Sequence, residues 1–123
     1  MSEQKNSLHA AGKDVLMSFG LLIECSAIVG DPTRIPAVSI VPEIRDPLLH
    51  TLLSTRDAAG KVTEAFNPFT STITPEEAVA LLDWAGGHVL AFFLNALTLA
   101  EKRAKESEAQ IKALMPSGAG LSA

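Results

Sequence analysis

From Trp84 to Ala100 the chain reads WAGGHVLAFFLNALTLA without one Asp, Glu, Lys or Arg. Such a run admits three structures: a membrane span, a buried core helix, or an apolar surface kept for another protein. At about 100° per residue, Leu81, Leu82, Ala85, Gly86, Val89, Leu90, Phe92, Phe93, Ala96, Leu97, Leu99 and Ala100 share one side of a helix. Asp83, Gly87, His88, Asn95 and Thr98 gather on the other, so the stretch is amphipathic. A spanning helix needs around twenty predominantly apolar residues, whereas Asp83 and Glu101 bound this interval and Gly87, His88 and Asn95 interrupt it. The aromatic belts that flank membrane spans are also missing, with one tryptophan and no tyrosine in the chain. A membrane span is disfavoured.

Trp84 and Leu94 break the polar side of that helix, next to His88 and Asn95, where a lone soluble helix prefers charge. Exposed apolar residues grouped in this way mark partner surfaces, and the alternative is that another helix of the same protein covers them. Trp84, His88, Phe92, Leu94 and Asn95 are therefore the candidate protein-interaction residues, with Phe93 assigned to the core. The pair Gly86-Gly87 either admits another backbone or breaks the helix, because glycine costs about 1 kcal/mol per helical position relative to alanine.

Outward from this stretch, other signals divide the chain. Thr74-Pro75-Glu76-Glu77 combines a threonine N-cap, a proline at the first helical position and a glutamate at the third that reaches back to the cap. A long helix over 75–115 is predicted from there, its last third an arm of charge pairs four residues apart, such as Glu101 with Lys105 and Glu108 with Lys112. Leu16, Phe19, Ile23, Ser26 and Val29 recur at helical spacing, predicting a first helix over 13–29, which Gly30-Asp31-Pro32 stops. Asp46-Pro47 reads as a cap and first helical residue for a short helix over 47–55. Residues 56–74 are rich in turn formers and read as a long loop, 1–12 as a flexible N-terminus and 116–123 as a flexible tail. The fold class these signals predict is all-α, one small helical domain over 13–115, in keeping with 123 residues and 47% hydrophobic content.

Chemistry-bearing motifs are sparse. GKVT at Gly60–Thr63 lacks the earlier glycine and the hydroxyl directly after the lysine that a phosphate loop requires. His9, His50 and His88 stand apart, outside any pattern that fixes metal ligands on one face, and Asp83 and His88 are five apart, roughly 140° round a helix. No catalytic residue, cofactor or metal site is read, and the chain is not read as an enzyme. A net charge of −4, with 10 basic against 14 acidic residues, gives no broad footprint for nucleic acid. Cys25, the only cysteine, lies in an apolar run as a core thiol of a reduced compartment, and nothing at the N-terminus marks the chain for secretion. The cytoplasm is the expected location.

Taken together, LLSTRDAAGKVTE, the Pro-Glu-Glu helix start and the pattern WxxxHxxxFFLNAL from Trp84 to Leu97 resemble the small tail assembly chaperones of long-tailed bacteriophages and related prophages. The resemblance is one of layout. It implies a mostly helical protein of the host cytoplasm that coats the aggregation-prone tape measure protein and helps tail tube protein subunits polymerise around it. No cofactor or active site is implied. It also implies that a longer form can arise by ribosomal frameshifting, and homo-oligomers are expected. Two other readings remain open: a small membrane-active phage protein using 78–100 as a span, and a structural component of the phage head or tail.

Overall fold

Two tight turns decide the architecture. In a computed structural model, which describes residues 5–114, Ala11 and Gly12 both take positive φ, 55° and 77°. That is the geometry a two-residue hairpin turn requires, because its twist matches that of the flanking strands. The chain therefore folds back on itself: β1 (Ser7–Ala10) pairs antiparallel with β2 (Lys13–Leu16), Leu8 opposite Val15 and Ala10 opposite Lys13. His9 Nδ1 lies 2.9 Å from Asp14 Oδ1 across the pair. The second turn follows β3 (Thr55–Arg56), which pairs antiparallel with β4 (Val62–Glu64). Asp57 closes it by accepting from the amides of Ala59 and Lys61, and Gly60 adopts φ 85° there.

These two sheets overturn the all-α expectation: the fold is mixed, helices with two small antiparallel sheets. The residues expected to open the first helix, Lys13–Leu16, are committed to β2. Helix α1 starts only at Phe19, after Ser18, whose hydroxyl accepts from the Leu21 amide at 3.2 Å, and runs to Val29 before Gly30 ends it with φ 90°. The residues at helical spacing do not share one environment. Cys25 and Val29 are buried, whereas Leu16, Phe19 and Ile23 are exposed. With FGLLIECSAIV apolar almost all round, spacing alone selects no face.

A 3₁₀ turn over Pro32–Ala37, capped by the Asp31 carboxylate, leads into α2 (Pro42–Leu53). Hydrogen bonds from Thr33 hold the Asp31 carboxyl below the usual carboxylate range. Asp46 does not cap a helix: α2 begins at Pro42, and Asp46 instead pairs with Arg45 Nε at 2.8 Å. Pro47 thus lies inside the helix, where it offers no amide to the Glu43 carbonyl and its ring crowds that carbonyl. Burial of Ile44, Leu48 and Leu52, one helical turn apart, keeps the segment helical. An interior proline costs about 3 kcal/mol relative to alanine, offset by about 1 kcal/mol from its stiffer unfolded chain. Pro47→Ala is therefore expected to raise stability by about 2 kcal/mol, read as a higher urea midpoint at unchanged slope. An unchanged or lower midpoint contradicts this account of α2.

Helix α3 spans Pro75–Leu114. Its start shows the reciprocal cap read from the sequence: the Glu77 amide donates to Thr74 Oγ1 at 3.0 Å and the Thr74 amide to Glu77 Oε1 at 3.1 Å. The same carboxylate oxygen lies 3.5 Å from the Ala11 amide, linking the first hairpin turn to the helix. Gly86-Gly87 does not break α3, and what packs on Gly86 is side chain. A Cβ at Gly86 would meet side chains, Ile35 Cγ2 and Val38 Cγ2, both at the ordinary contact distance of 3.5 Å.

The chain divides into two compact units, Met1–Ala91 and Phe92–Ala123, with the division inside α3. The first holds the core, built from Ala10 and Val15 of the hairpin, Cys25 and Val29 of α1, Val38 after the 3₁₀ turn, Ile44, Leu48, Leu52 and Leu53 of α2, and Leu81, Leu82, Trp84, Ala85 and Val89 of α3. The described part of the second is α3 from Phe92 to Leu114. The expected tail over 116–123 lies outside the described residues.

Candidate interaction surface

The five candidate interaction residues separate into two groups. Trp84 and His88 belong to the first unit, one helical turn apart on α3, with ring centroids 5.0 Å apart in an edge-to-face arrangement. Both reach the same backbone atom: Trp84 Nε1–H donates to the Lys5 carbonyl at 2.7 Å, and His88 Nε2 lies 2.7 Å from the same oxygen. A carbonyl only accepts, so Nε2 carries the hydrogen. The chain entering β1 is thereby fastened across α3, and Trp84 is 7% exposed. Its partner in this structure is the protein's own N-terminal segment. His88 is half-buried beside it.

Phe92, Leu94 and Asn95 belong to the second unit. Phe92 is half-buried and packs at a tilt on Phe93, centroids 6.3 Å apart, while Leu94 is 52% exposed and Asn95 is exposed. Leu97, Leu99, Ile111 and Leu114 are exposed as well. The charged residues between them lie on the helix surface, with Lys112 Nζ 3.7 Å from Glu108 Oε1.

An apolar group that sequence reasoning missed lies on the first unit. Leu16 at the end of β2 and Phe19 and Ile23 on α1 are all exposed, although Val29, which shares their helical spacing, is buried. Isolated exposed apolar residues are normal, but three within one turn-and-strand junction are not scattered. Leu16 also lines a cleft of about 490 Å³, together with Lys13, Leu21, Glu24, Thr51 and Arg56.

The polar groups of that cleft are spoken for within the fold. Arg56 Nη2 donates to Glu24 Oε1 at 2.8 Å and to Thr51 Oγ1 at 2.9 Å, and Nη1 donates to the Gly60 carbonyl at 2.9 Å. Thr51 Oγ1 donates to the same Glu24 oxygen, and Lys13 Nζ donates to the Leu53 carbonyl at 2.7 Å. The cluster therefore ties α1, α2 and the second hairpin together. Cys25, next to Glu24 in the chain, is buried. Burial pushes its thiol from 9.0 up to about 12, the Glu24 charge adding to the rise and Arg56 opposing it. Among the described residues no three His, Cys, Asp or Glu side chains are grouped to hold a metal ion.

No family model, no curated protein and no solved structure matches this chain.

Proposed function

We propose that the protein works by binding other proteins, as a non-enzymatic phage tail assembly chaperone of the host cytoplasm. It binds the tape measure protein, keeps it soluble, and promotes assembly of the tail tube protein around it. The observation that carries this reading is the run of exposed apolar side chains on α3, Leu94, Leu97 and Leu99 each about half exposed, followed directly by a charged helical segment. Apolar helical surface of this kind receives the apolar stripe of a client helix, and the flanking charge keeps the pair in solution. Leu16, Phe19 and Ile23 supply a second apolar surface on the first unit. The layout resemblance to tail assembly chaperones supplies the client's identity, and self-association is part of the same reading. Co-expression with the tape measure protein encoded nearby is expected to raise that protein's soluble yield. An unchanged yield counts against the reading.

A second reading, a membrane-active protein, draws on the length and composition of α3, which contains a window of mean hydropathy 1.4 with few charges. Against it, Leu81, Leu82, Trp84, Ala85, Gly86 and Val89 within the expected span 78–100 are buried in the protein's own fold. Resistance of the membrane-associated chain to carbonate washing would favour the membrane. A head or tail component would be found in purified particles, from which a chaperone is absent.

A further inference from the structure

We propose that α3 from Phe93 to Leu114 associates with the same segment of a second copy as a parallel, in-register two-stranded coiled coil. The proposal deepens the self-association in the reading above by naming its surface and geometry. Coiled coils place apolar residues alternately three and four apart, and tolerate an occasional polar residue on that line at a cost in stability. Phe93, Leu97, Ala100, Ala104, Ser107, Ile111 and Leu114 follow that alternation without interruption, and no charged residue falls on the line. Taking Phe93 as position d, the seam alternates d and a to Leu114. Leu97, Ile111 and Leu114 are 53%, 50% and 85% exposed, and Ala100, Ala104 and Ser107 are exposed. Bulky residues thus mark the two ends and small ones the middle, where two backbones can approach closely.

Charge selects the partner and its direction. Arg103 falls at position g and Glu108 at position e of the next heptad, the pair that faces across a parallel dimer. Two-fold symmetry makes this contact twice. Glu108 retains room for it, since its pair with Lys112 is long and both side chains are about three-quarters exposed. In an antiparallel pairing e positions face e positions, which sets Glu101 and Glu108 against carboxylates of the other copy. The remaining charges, Lys102, Lys105, Glu106 and Lys112, occupy b, c and f and face solvent. Leu94 at position e flanks the seam without entering it, and Leu99 and Phe92 at c and Asn95 at f stay outside, so Leu94 and Leu99 remain open to a client. This assignment divides the interaction candidates of the second unit residue by residue.

The test uses the purified full chain without a client, so its failure and that of the chaperone reading are separable. Sedimentation equilibrium over a range of concentrations is expected to show a reversible monomer–dimer equilibrium. Leu97→Glu and Ile111→Glu, both compatible with an exposed helix, are expected to give monomers with unchanged emission from Trp84, the only tryptophan, which reports on the first unit. Arg103→Glu is expected to weaken the dimer about tenfold by setting like charges across the seam, and the double variant Arg103→Glu/Glu108→Arg to recover it. Ser107→Cys is expected to cross-link on oxidation at position d, while Ala109→Cys, at f, does not. A chain that is monomeric at every concentration, dimers that survive both glutamate substitutions, or charge reversal without recovery in the double swap would each overturn the proposal. A monomer in buffer that sediments with lipid vesicles would overturn it in favour of the membrane reading.

Discussion

Trp84→Ala is expected to destabilise the first unit by about 3–5 kcal/mol, and Leu94→Ala to change stability by less than about 0.5 kcal/mol. By helical position the two residues are equivalents, apolar intruders on the polar side of one helix, and the structure separates them by burial: 7% exposed against 52%. Truncating Trp84 leaves a cavity where an indole packed, and it leaves the Lys5 carbonyl with only the His88 donor. A small domain is stable by only about 5–15 kcal/mol in total, so the variant should unfold at a much lower urea concentration. Trp84→Phe keeps most of the packing and removes the N–H. Its expected cost is about 1–2 kcal/mol, which gives a readout even if the alanine variant does not fold. Equal midpoints for the Trp84→Ala and Leu94→Ala variants would mean that Trp84 is not a core residue of the isolated chain. The contrast also guards the client-binding assay. A loss of binding in Trp84→Ala reports on the fold, while a loss in a Leu94 variant reports on the surface.

What was legible in the sequence follows from which signals are local. The Thr74–Glu77 cap is a contact within four residues, so its pattern in the chain is nearly its structure. Gly30 likewise ends α1 because the φ of 90° it adopts is closed to most other residues. The first hairpin was missed because its turn, Ala11-Gly12, lacks the Asn or Asp that usually announces positive φ at the first position, and because KDVL joins smoothly onto an apolar helical pattern. The second was missed for a different reason: strands of two and three residues leave too little alternation to detect. Pro47 reads as a helix start because proline is common there, yet tertiary burial on the Ile44, Leu48 and Leu52 side carries α2 straight through it. The candidate site behaved in the same way. Helical periodicity identified an apolar side of α3, but the partner of Trp84 is a backbone carbonyl 79 positions away, and no local pattern encodes such a contact. The exposure of Phe19 and Ile23 was equally hidden, since a helix apolar on all sides carries no instruction about which side to bury.

Cys25 in the native protein is expected to react with a neutral thiol reagent at pH 8 at least about a thousandfold more slowly than in the denatured chain. The reacting species is the thiolate, and a thiol pushed up to about 12 holds far less of it at that pH than a thiol at 9.0. The residue is also fully buried, so reaction waits for the core to open. Denaturant should restore the ordinary rate. The same shift fixes a pH dependence. The folded value lies above the unfolded one, so the unfolded chain loses its proton first as pH rises, and deprotonation favours the unfolded state. The stabilisation is complete below about pH 9 and is lost progressively from there toward pH 12. Lysines also titrate over that range, so the measurement is the stability difference between wild type and Cys25→Ala. That difference should be flat below pH 9 and should move against the wild type above it, and a flat difference throughout would contradict the burial-driven shift. Fast labelling at pH 8 would carry a larger consequence. A cysteine nucleophile needs its thiolate near neutral pH, held there by a cationic or hydrogen-bonding neighbour, whereas here the largest influence on Cys25 is loss of water and the next is the negative charge of Glu24. Both act against the thiolate. A slow thiol therefore identifies Cys25 as packing between α1 and its neighbours, and a fast one would reopen the case for chemistry at this position.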